Sequence, residues 1–209
     1  MNLSKYKNII FDLGGVILNL DYHRTFEAFK SFAPQMDDET FVGKIKQHSI
    51  FSDYEVGKIS SQDFRAEINS FYKMNLEDTT FDTCWNAMLL DLPRYRIELI
   101  LKLRDSGKQV FLLSNINEIH EREVGLKFKS LGYNFYFKDL FHKAYYSHEI
   151  GLRKPHGEVF QLVISENNLD KTETVFIDDS LQHVQGAKSI GLNALHLTNP
   201  IKIEDCFIN

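Results

Sequence analysis

Short apolar runs alternate along the chain with longer amphipathic stretches. The runs at 7–12, 109–113 and 174–179 are brief and rich in Ile, Val and Phe, as expected of strands that are buried on both faces. The pattern also predicts a short strand over 143–147 and a last strand over 192–197. Helical patterns separate these runs. The alternation therefore predicts an α/β fold, with a doubly wound parallel sheet and right-handed crossovers.

The region between the first two runs has a different pattern. Residues 20–91 contain no convincing strand, and their apolar side chains recur at helical spacing, as in Phe26, Phe29 and Ala33 and in Phe64, Ile68 and Phe71. Ser60 and Asp63 have the spacing of a capping box, and another helix is predicted to begin near residues 37–39. We therefore predict an insert of four or five helices over 18–92, with its aromatic side chains in a bundle core. Residues 1–17 and 93–209 are predicted to form the α/β core domain.

Two of the predicted strands end in carboxylates. Asp12 follows the first apolar run, and Asp178 and Asp179 end the run that begins at Thr174. In an open parallel sheet, ligands bind just beyond the carboxyl ends of the strands, so these acids are expected to meet there. Carboxylates that lie together repel one another, and a hard cation with oxygen ligands relieves that repulsion. The pattern suggests a site for magnesium and a phosphate.

Composition narrows the range of partners. The chain has 209 residues and a net charge of −5, and it lacks a basic stripe, so we expect no nucleic-acid partner. No apolar stretch reaches the roughly 18 to 20 residues that span a bilayer, so no membrane partner is expected. The first residues lack the apolar segment of a signal peptide, which favours a cytoplasmic location. Cys84 and Cys206 are far apart and are expected to be reduced thiols.

Four short motifs together resemble one family. In chain order they are Phe11-Asp12-Leu13-Gly14-Gly15-Val16, Leu113-Ser114-Asn115, Arg153-Lys154-Pro155 and Phe176-Ile177-Asp178-Asp179-Ser180. Each motif is weak alone, but in this order and with a helical insert after the first, the chain resembles the haloacid dehalogenase-like hydrolase superfamily. The closest resemblance is to the subgroup that contains bacterial α-glucose-1-phosphate phosphatase. The resemblance implies a Rossmann-like core, with the insert as a cap over the site.

The resemblance implies roles for the acids of the first and fourth motifs. Asp12 matches the family nucleophile, which attacks phosphorus and becomes an aspartyl phosphate. Asp179 matches a ligand of Mg²⁺, Asp178 supports the metal directly or through water, and Gly14 offers its backbone carbonyl. A helix N-cap is the competing interpretation of an acidic pair after a strand.

The second and third motifs match groups that hold phosphate. Ser114 matches the hydroxyl that binds phosphate, although a helix cap is its alternative role. Asn115 is predicted either to supply a second donor or to cap the helix. Lys154 matches the lysine that neutralises the nucleophile and the transferring phosphoryl group. Arg153 either faces the substrate or makes a structural ion pair.

The chain departs from the family pattern at Gly14. Phosphatases of the family usually have a second aspartate there, which acts as general acid and base, a role that contributes about 10²- to 10⁴-fold in rate. Three interpretations follow: a phosphatase whose substrate leaves easily, a metal-independent 2-haloacid dehalogenase, or a binding protein with weakened catalysis. The acidic pair at 178–179 argues against the dehalogenase, because those enzymes lack it.

Four other side chains lie close enough in sequence to the motifs to replace the missing acid, but each is expected to be a surface residue; they are Asp21, His23, His148 and His183. The sequence therefore predicts a magnesium-dependent hydrolase of small phosphomonoesters, with a sugar phosphate as the expected substrate. Its partner is then a small phosphorylated metabolite, and the chain is expected to be a monomer or a weak dimer.

Overall fold

The parallel sheet forms the centre of the molecule. The computed structural model describes residues 3–35, 49–198 and 202–207. Its five strands are β1 (Asn8–Phe11), β2 (Gln109–Ser114), β3 (Lys143–Tyr146), β4 (Thr174–Asp178) and β5 (Asn193–His196). They are all parallel and lie in the order β3-β2-β1-β4-β5. The chain winds outward from β1 in one direction and then in the other, so the predicted doubly wound α/β fold is confirmed.

Helices connect the strands and cover the sheet. Between β1 and β2 lie α1 (Tyr22–Lys30), α2 (Ser49–Glu55), α3 (Ser61–Tyr72), α4 (Asp78–Asn86) and α5 (Arg94–Asp105). The later helices are α6 (Glu118–Ser130), α7 (Ser147–Ile150), α8 (Gly157–Glu166) and α9 (Leu181–Ser189). Short 3₁₀ segments cover Phe137–Leu140, Lys171–Glu173 and Ile203–Phe207. Within the described ranges, no helix combines the length and the apolar character needed to cross a membrane.

Neighbouring residues of a strand point to opposite faces of the sheet, and helices cover both faces. The strands are therefore buried on both sides. Ile9 packs with α5 and α6 on one face, whereas Ile10 packs with α8 and α9 on the other. Cys84 and Cys206 are both buried free thiols, as the sequence predicts. The double burial explains why the strands appear in the sequence as continuous apolar runs.

A separate hydrophobic cluster lies among helices α1 to α4. Phe64 is its centre: its ring stacks on Tyr54 at a centroid distance of 4.2 Å and lies 5.0 Å from Trp85. Ser60 caps α3 as predicted, because its hydroxyl accepts a hydrogen bond from the Asp63 amide at 3.1 Å. Aromatic packing therefore stabilises this region.

The prediction of the buried face of α3 is wrong at its last position. Phe71 is 43% exposed, whereas the neighbouring Tyr72 is buried. The apolar face of α3 is thus made by Phe64, Ile68 and Tyr72, at a spacing of four residues, because a step of four also brings side chains to one side of a helix. The helix start predicted near residues 37–39 lies outside the described residues.

Candidate active site

Two neighbouring strands bring their terminal acids together. Asp12 follows β1 and Asp178 ends β4, and the Asp12 amide donates a hydrogen bond to the Ile177 carbonyl at 2.9 Å. The boundary between β1 and β4 is the place where the strand order reverses. Ligands of open α/β sheets bind at such switch points. The sheet topology therefore places both acids where a ligand is expected.

The Lys154 side chain bridges these two acids. It is completely buried, and its Nζ donates to Asp12 Oδ1 at 2.5 Å and to Asp178 Oδ2 at 2.8 Å. Asn115 fixes the Lys154 backbone: its Oδ1 accepts from the Lys154 amide at 2.9 Å, and its Nδ2 donates to the Lys154 carbonyl at 3.0 Å. A buried ammonium that bridges two buried carboxylates makes a rigid polar network with little freedom to rearrange.

Burial and charge determine the protonation of this network. Burial raises the pKa of the Asp12 carboxyl to about 6, although Lys154 opposes that shift. Asp178 is also buried, but Lys154 and His183 outweigh that effect and lower its pKa. Burial disfavours the Lys154 ammonium, yet the two carboxylates raise its pKa overall. The contacts within the network therefore favour the charged forms of Lys154 and Asp178, whereas burial of Asp12 favours its protonated form.

Asp179 adds a third carboxylate beside this pair. One oxygen from each of Asp12, Asp178 and Asp179 lies within 4.8 Å of the others. Asp178 Oδ1 also accepts from the Ser180 amide at 2.7 Å, whereas the Asp179 side chain is only partly exposed to solvent. Burial and the charge of Asp178 raise the pKa of Asp179. Three converging carboxylate oxygens fit a hard divalent cation, whose charge would relieve their repulsion.

The loop after β1 depends on two glycines. Gly15 has φ of +70°, and a Cβ built there would lie 2.1 Å from Asp179 Oδ2. A Cβ on Gly14 would lie 2.5 Å from the Cδ1 atom of Leu20. The loop therefore packs directly against Asp179. The space beside Gly14 that a general acid would need is occupied by Leu20.

Ser114 does not cap a helix, which was the alternative role that the sequence allowed. It ends β2 and is buried, but α6 begins later, and its N-cap is Asn117, whose Oδ1 accepts from the His120 amide at 3.0 Å. Asn115 does not cap α6 either, since it holds the backbone of Lys154. A phosphate site remains the interpretation for Ser114, whereas Asn115 has a supporting role in this structure.

A cavity of about 950 Å³ is lined by Gly14, Ser114 and Asn115 at the edge of the sheet. Its volume lies within the range of small-molecule sites. Its wall combines residues from the sheet edge with residues of α1, α2, α4 and α6. The polar part includes Tyr22, Glu55, Ser114, Asn115 and Arg153, and the apolar part includes Leu20, Phe26, Phe51, Trp85 and Met88.

Arg153 makes an ion pair across this cavity wall, which is the structural alternative that the sequence left open. Its Nη2 lies 2.8 Å from Glu55 Oε2, at the end of α2. Glu55 is a cavity residue that the sequence does not predict, because no motif surrounds it. Gly57, two positions later, is typical of a helix end and indicates no chemistry.

The four side chains considered as replacement acids have other partners. Asp21 caps α1 by accepting from the His23 amide, and His23 lies 3.5 Å from Glu27. His148 contacts Glu121 at 3.1 Å, and His183 contacts Asp178 at 3.0 Å. Each of the four side chains therefore has a partner within the protein.

Sequence comparison gives one family. The model of haloacid dehalogenase-like hydrolases matches residues 6–191. The chain is 30% identical to the D-ribitol-5-phosphate phosphatase of Bacteroides thetaiotaomicron, over 92% of each chain. It is also 26% identical to the sesquiterpene phosphatase astK of Aspergillus oryzae, over 95% of this chain and 93% of that one.

Comparison of the folds agrees. A haloacid dehalogenase family enzyme of B. thetaiotaomicron, solved with magnesium and inorganic phosphate, superposes with a TM-score of 0.86. It is 34% identical, and the match covers 97% of this chain and all of that one. The L-2-haloacid dehalogenase of Xanthobacter autotrophicus, at 14% identity and a TM-score of 0.60 over 95% of this chain and 80% of that one, shares the fold alone. The chain therefore belongs to the haloacid dehalogenase-like hydrolase family and is a phosphatase-type enzyme within it.

Proposed function

We propose that this enzyme hydrolyses small phosphomonoesters, with sugar or sugar-alcohol phosphates as the substrate class. Asp12 is the nucleophile, and Mg²⁺ is held by Asp12, the Gly14 carbonyl, Asp178 and Asp179. The single observation that carries the proposal is the buried bridge of Lys154 between Asp12 and Asp178. That bridge gives the Asp12 carboxylate a fixed position beside a third acid, next in sequence to Leu13 and Gly14, which line the cavity.

The chemistry follows from the charges of these groups. An Asp12 oxygen attacks phosphorus in line with the leaving oxygen, and the ester P–O bond breaks as the aspartyl phosphate forms. Lys154 reduces the repulsion between the carboxylate and the phosphate, and it orients the Asp12 side chain. The Ser114 hydroxyl donates to a phosphate oxygen at the end of β2. Water then attacks the aspartyl phosphate, releases inorganic phosphate and restores Asp12.

The donor set of the site suits magnesium, because hard oxygen ligands from carboxylates and a backbone carbonyl are those that this ion prefers. When bound, the ion supplies charge neutralisation and orientation for the phosphate oxygens. Asp179 is the most available of the three acids, because hydrogen bonds already engage both oxygens of Asp178. We therefore expect Asp179 to be a direct ligand and Asp178 to contribute chiefly through its charge.

The choice of substrate class rests on the cavity and on one relative. The cavity has room for a small phosphorylated metabolite, and a polar section of its wall lies next to Ser114. The related enzyme of B. thetaiotaomicron is named for D-ribitol 5-phosphate, a sugar-alcohol phosphate. We propose that residues 18–92 form the cap that selects the substrate, over a core of 1–17 and 93–209. A cytoplasmic location and a monomeric or weakly dimeric state complete the proposal.

The dehalogenase alternative is disfavoured by the acidic doublet. A metal-independent reaction with a haloacid gains nothing from a third carboxylate that raises the local negative charge. Asp179 nevertheless lies with Asp12 and Asp178 in one cluster, and its pKa is raised there by burial and by Asp178. A cluster of that kind is stabilised by a cation and not by a halide.

The test is a phosphatase screen of the purified chain with sugar phosphates, sugar-alcohol phosphates, nucleotides and small acid phosphates. We expect phosphate release in Mg²⁺ that stops with EDTA and returns when Mg²⁺ is restored. Asp12→Asn should lower the rate at least about a thousandfold, because the amide is not a nucleophile. Wild-type turnover by Asp12→Asn, or chloride release from a 2-haloacid in EDTA, would contradict the proposal.

A further inference from the structure

The proposed reaction needs a proton donor that the first motif does not supply. An alcohol leaves a phosphate ester readily only when its oxygen receives a proton as the P–O bond breaks. The family position for that donor is Gly14, and the adjacent space is filled by Leu20, whose Cδ1 atom would lie 2.5 Å from a Cβ there. A donor must therefore come from elsewhere in the cavity wall.

The described lining of the cavity contains few groups that can exchange a proton, and most are unsuitable. His120 is buried, its Nδ1 lies 3.2 Å from Asn117 Nδ2, and its Nε2 lies 3.1 Å from the Trp85 carbonyl, so both ring nitrogens are engaged. Burial lowers the pKa of His120 to about 4, which keeps the ring neutral.

Two further candidates fail for different reasons. Partial loss of solvent and the charges of Asp179 and Asp12 raise the pKa of the Tyr22 hydroxyl to about 12, so it cannot serve as a base near neutrality. His23 is largely exposed and points along α1 to Glu27, at 3.5 Å.

The hydroxyl of Tyr54, which also lines the cavity, bonds to the Ser61 hydroxyl at 2.8 Å, and this leaves Glu55 as the candidate. Glu55 is the last residue of α2, and its side chain lines the same cavity as Gly14 and Ser114. The hydroxyl of Ser147 donates to the Glu55 carbonyl at 2.6 Å, which fixes the end of the helix on the core. Its carboxylate bonds to Arg153 at 2.8 Å.

The charged groups that face Glu55 belong to the catalytic network. Burial raises the pKa of the Glu55 carboxyl, and the positive groups that oppose this shift are Arg153, Lys154 and His183. Lys154 and His183 both contact Asp178, so Glu55 lies close enough to sense the reacting centre. Glu55 also adds to the negative charge that Tyr22 experiences. Glu55 therefore shares the cavity with Ser114 and lies near the charges of the catalytic network.

We propose that Glu55, oriented by Arg153, is the general acid and base that replaces the missing aspartate. In the first step, the carboxyl proton of Glu55 moves to the leaving oxygen while the ester P–O bond breaks and the Asp12–phosphorus bond forms. In the second step, the Glu55 carboxylate takes a proton from water. The water oxygen attacks phosphorus at the same time, and the bond between phosphorus and the Asp12 oxygen breaks. Glu55 ends protonated and Asp12 ionised, so the cycle is closed.

The inference rests on the proposed function, and leaving-group dependence separates the two. A p-nitrophenyl ester leaves without a proton, whereas a sugar-alcohol ester needs one. We expect Glu55→Gln to lower kcat/KM for the sugar-alcohol phosphate about 10²- to 10⁴-fold and for p-nitrophenyl phosphate less than about tenfold. The ratio of wild-type to Glu55→Gln kcat/KM for the sugar-alcohol phosphate should also fall as pH rises through the raised pKa of Glu55, because the Glu55 carboxyl then loses the proton that it donates.

Two control variants make the result decisive. Arg153→Met breaks the same ion pair but keeps the carboxyl, so it should lower kcat/KM for the sugar-alcohol phosphate more than for p-nitrophenyl phosphate, but by less than Glu55→Gln does, because the acid remains without its orienting partner. Glu173→Gln removes an exposed carboxylate that pairs with Lys7 on the far side of the fold, and both rates should be unchanged. Circular dichroism and thermal melting establish that each variant is folded.

The outcomes distinguish the hypotheses. Equal losses on both esters in Glu55→Gln would show that the ion pair only positions the helix, and this would overturn the proposal for Glu55 while leaving the phosphatase activity intact. Failure of the wild-type enzyme on both esters in Mg²⁺ would overturn both proposals. If Glu55→Gln does not fold, Glu55→Asp provides the second test: a shorter carboxyl should keep the pH dependence at a reduced rate, and its loss would contradict the proposal.

Discussion

The edge of the sheet and the helical wall of the cavity are built by different physics. At the sheet edge, Asp12, Lys154 and Asp178 are polar, buried and bonded to one another at 2.5 and 2.8 Å. In the helical region, Trp85 lines the cavity and packs on Phe64, which is buried behind it. The first arrangement fixes reacting atoms, whereas the second mainly shapes a volume. The buried charge network and the aromatic cluster can therefore be perturbed separately by substitution.

The largest expected effect is at the sheet edge. Lys154→Met would leave two buried carboxylates without their cation, so we expect a loss of about 3–5 kcal/mol in the free energy of unfolding. Activity should fall about a thousandfold. Denaturant unfolding and steady-state kinetics measure the two effects. Lys143→Met is the matched control, because Lys143 pairs with Glu166 in solvent, where such a pair contributes about 0–1 kcal/mol. Equal losses in the two variants would refute the contrast between the regions.

The next effect tests the helical wall. Phe64→Ala should destabilise the protein by about 3–5 kcal/mol, because it removes the ring at the centre of the aromatic cluster. Phe71→Ala lies on the same helix but is 43% exposed, so it should cost less than about 1 kcal/mol. Thermal or denaturant unfolding of both variants decides this point. A large cost at Phe71 would contradict the face of α3 seen in the structure.

A smaller effect is expected in the loop that joins the two regions. Gly15→Ala and Gly132→Ala both place a side chain at positive φ, which costs roughly 1–2 kcal/mol. Only the Gly15 methyl group meets Asp179, so overpacking should add about 1–3 kcal/mol there. Only that variant should weaken activation by Mg²⁺, which a titration of rate against the metal measures. Equal behaviour of the two variants would show that the loop does not constrain Asp179.

The smallest expected effect is a pH dependence of the free energy of unfolding that arises from His120. The pKa of His120 is about 4 in the folded protein, because burial lowers it from an unfolded value near 6.5. The unfolded chain therefore binds more protons between these values, and the contribution of His120 to stability is lost as pH falls from 6.5 towards 4. The slope is at most about 1.4 kcal/mol per pH unit. Unfolding curves of the wild type and of His120→Gln should converge as pH is lowered from 7 to 5; parallel curves would contradict the assignment.

The sequence was sufficient for the sheet edge because its groups are adjacent to local signals. Asp12 and Asp178 each follow an apolar run, and the end of a buried strand is a position that periodicity identifies. The parallel topology then follows from alternation with helices. The roles of the individual site residues remain proposals, although the structure brings Asp12, Lys154, Asp178 and Asp179 into one cluster.

The contacts of the cavity wall could not be predicted from the sequence because they join segments that are distant along the chain. Arg153 and Glu55 are almost a hundred positions apart, and their pairing depends on how α2 lies on the core. Asn115 was expected to contact phosphate or to cap a helix, yet its amide bonds to the backbone of Lys154. At Phe71, spacings of three and four residues were both compatible with a helix, and tertiary packing selected the second.

Trp85 gives the cavity an intrinsic optical reporter. It is the only tryptophan in the chain, it lines the cavity, and its ring stacks on His120 at 5.0 Å. All indole emission thus originates from the wall that a substrate would touch. A change in that emission on adding a phosphate ester would report occupancy without any label, and quenching studies could follow entry and release in real time.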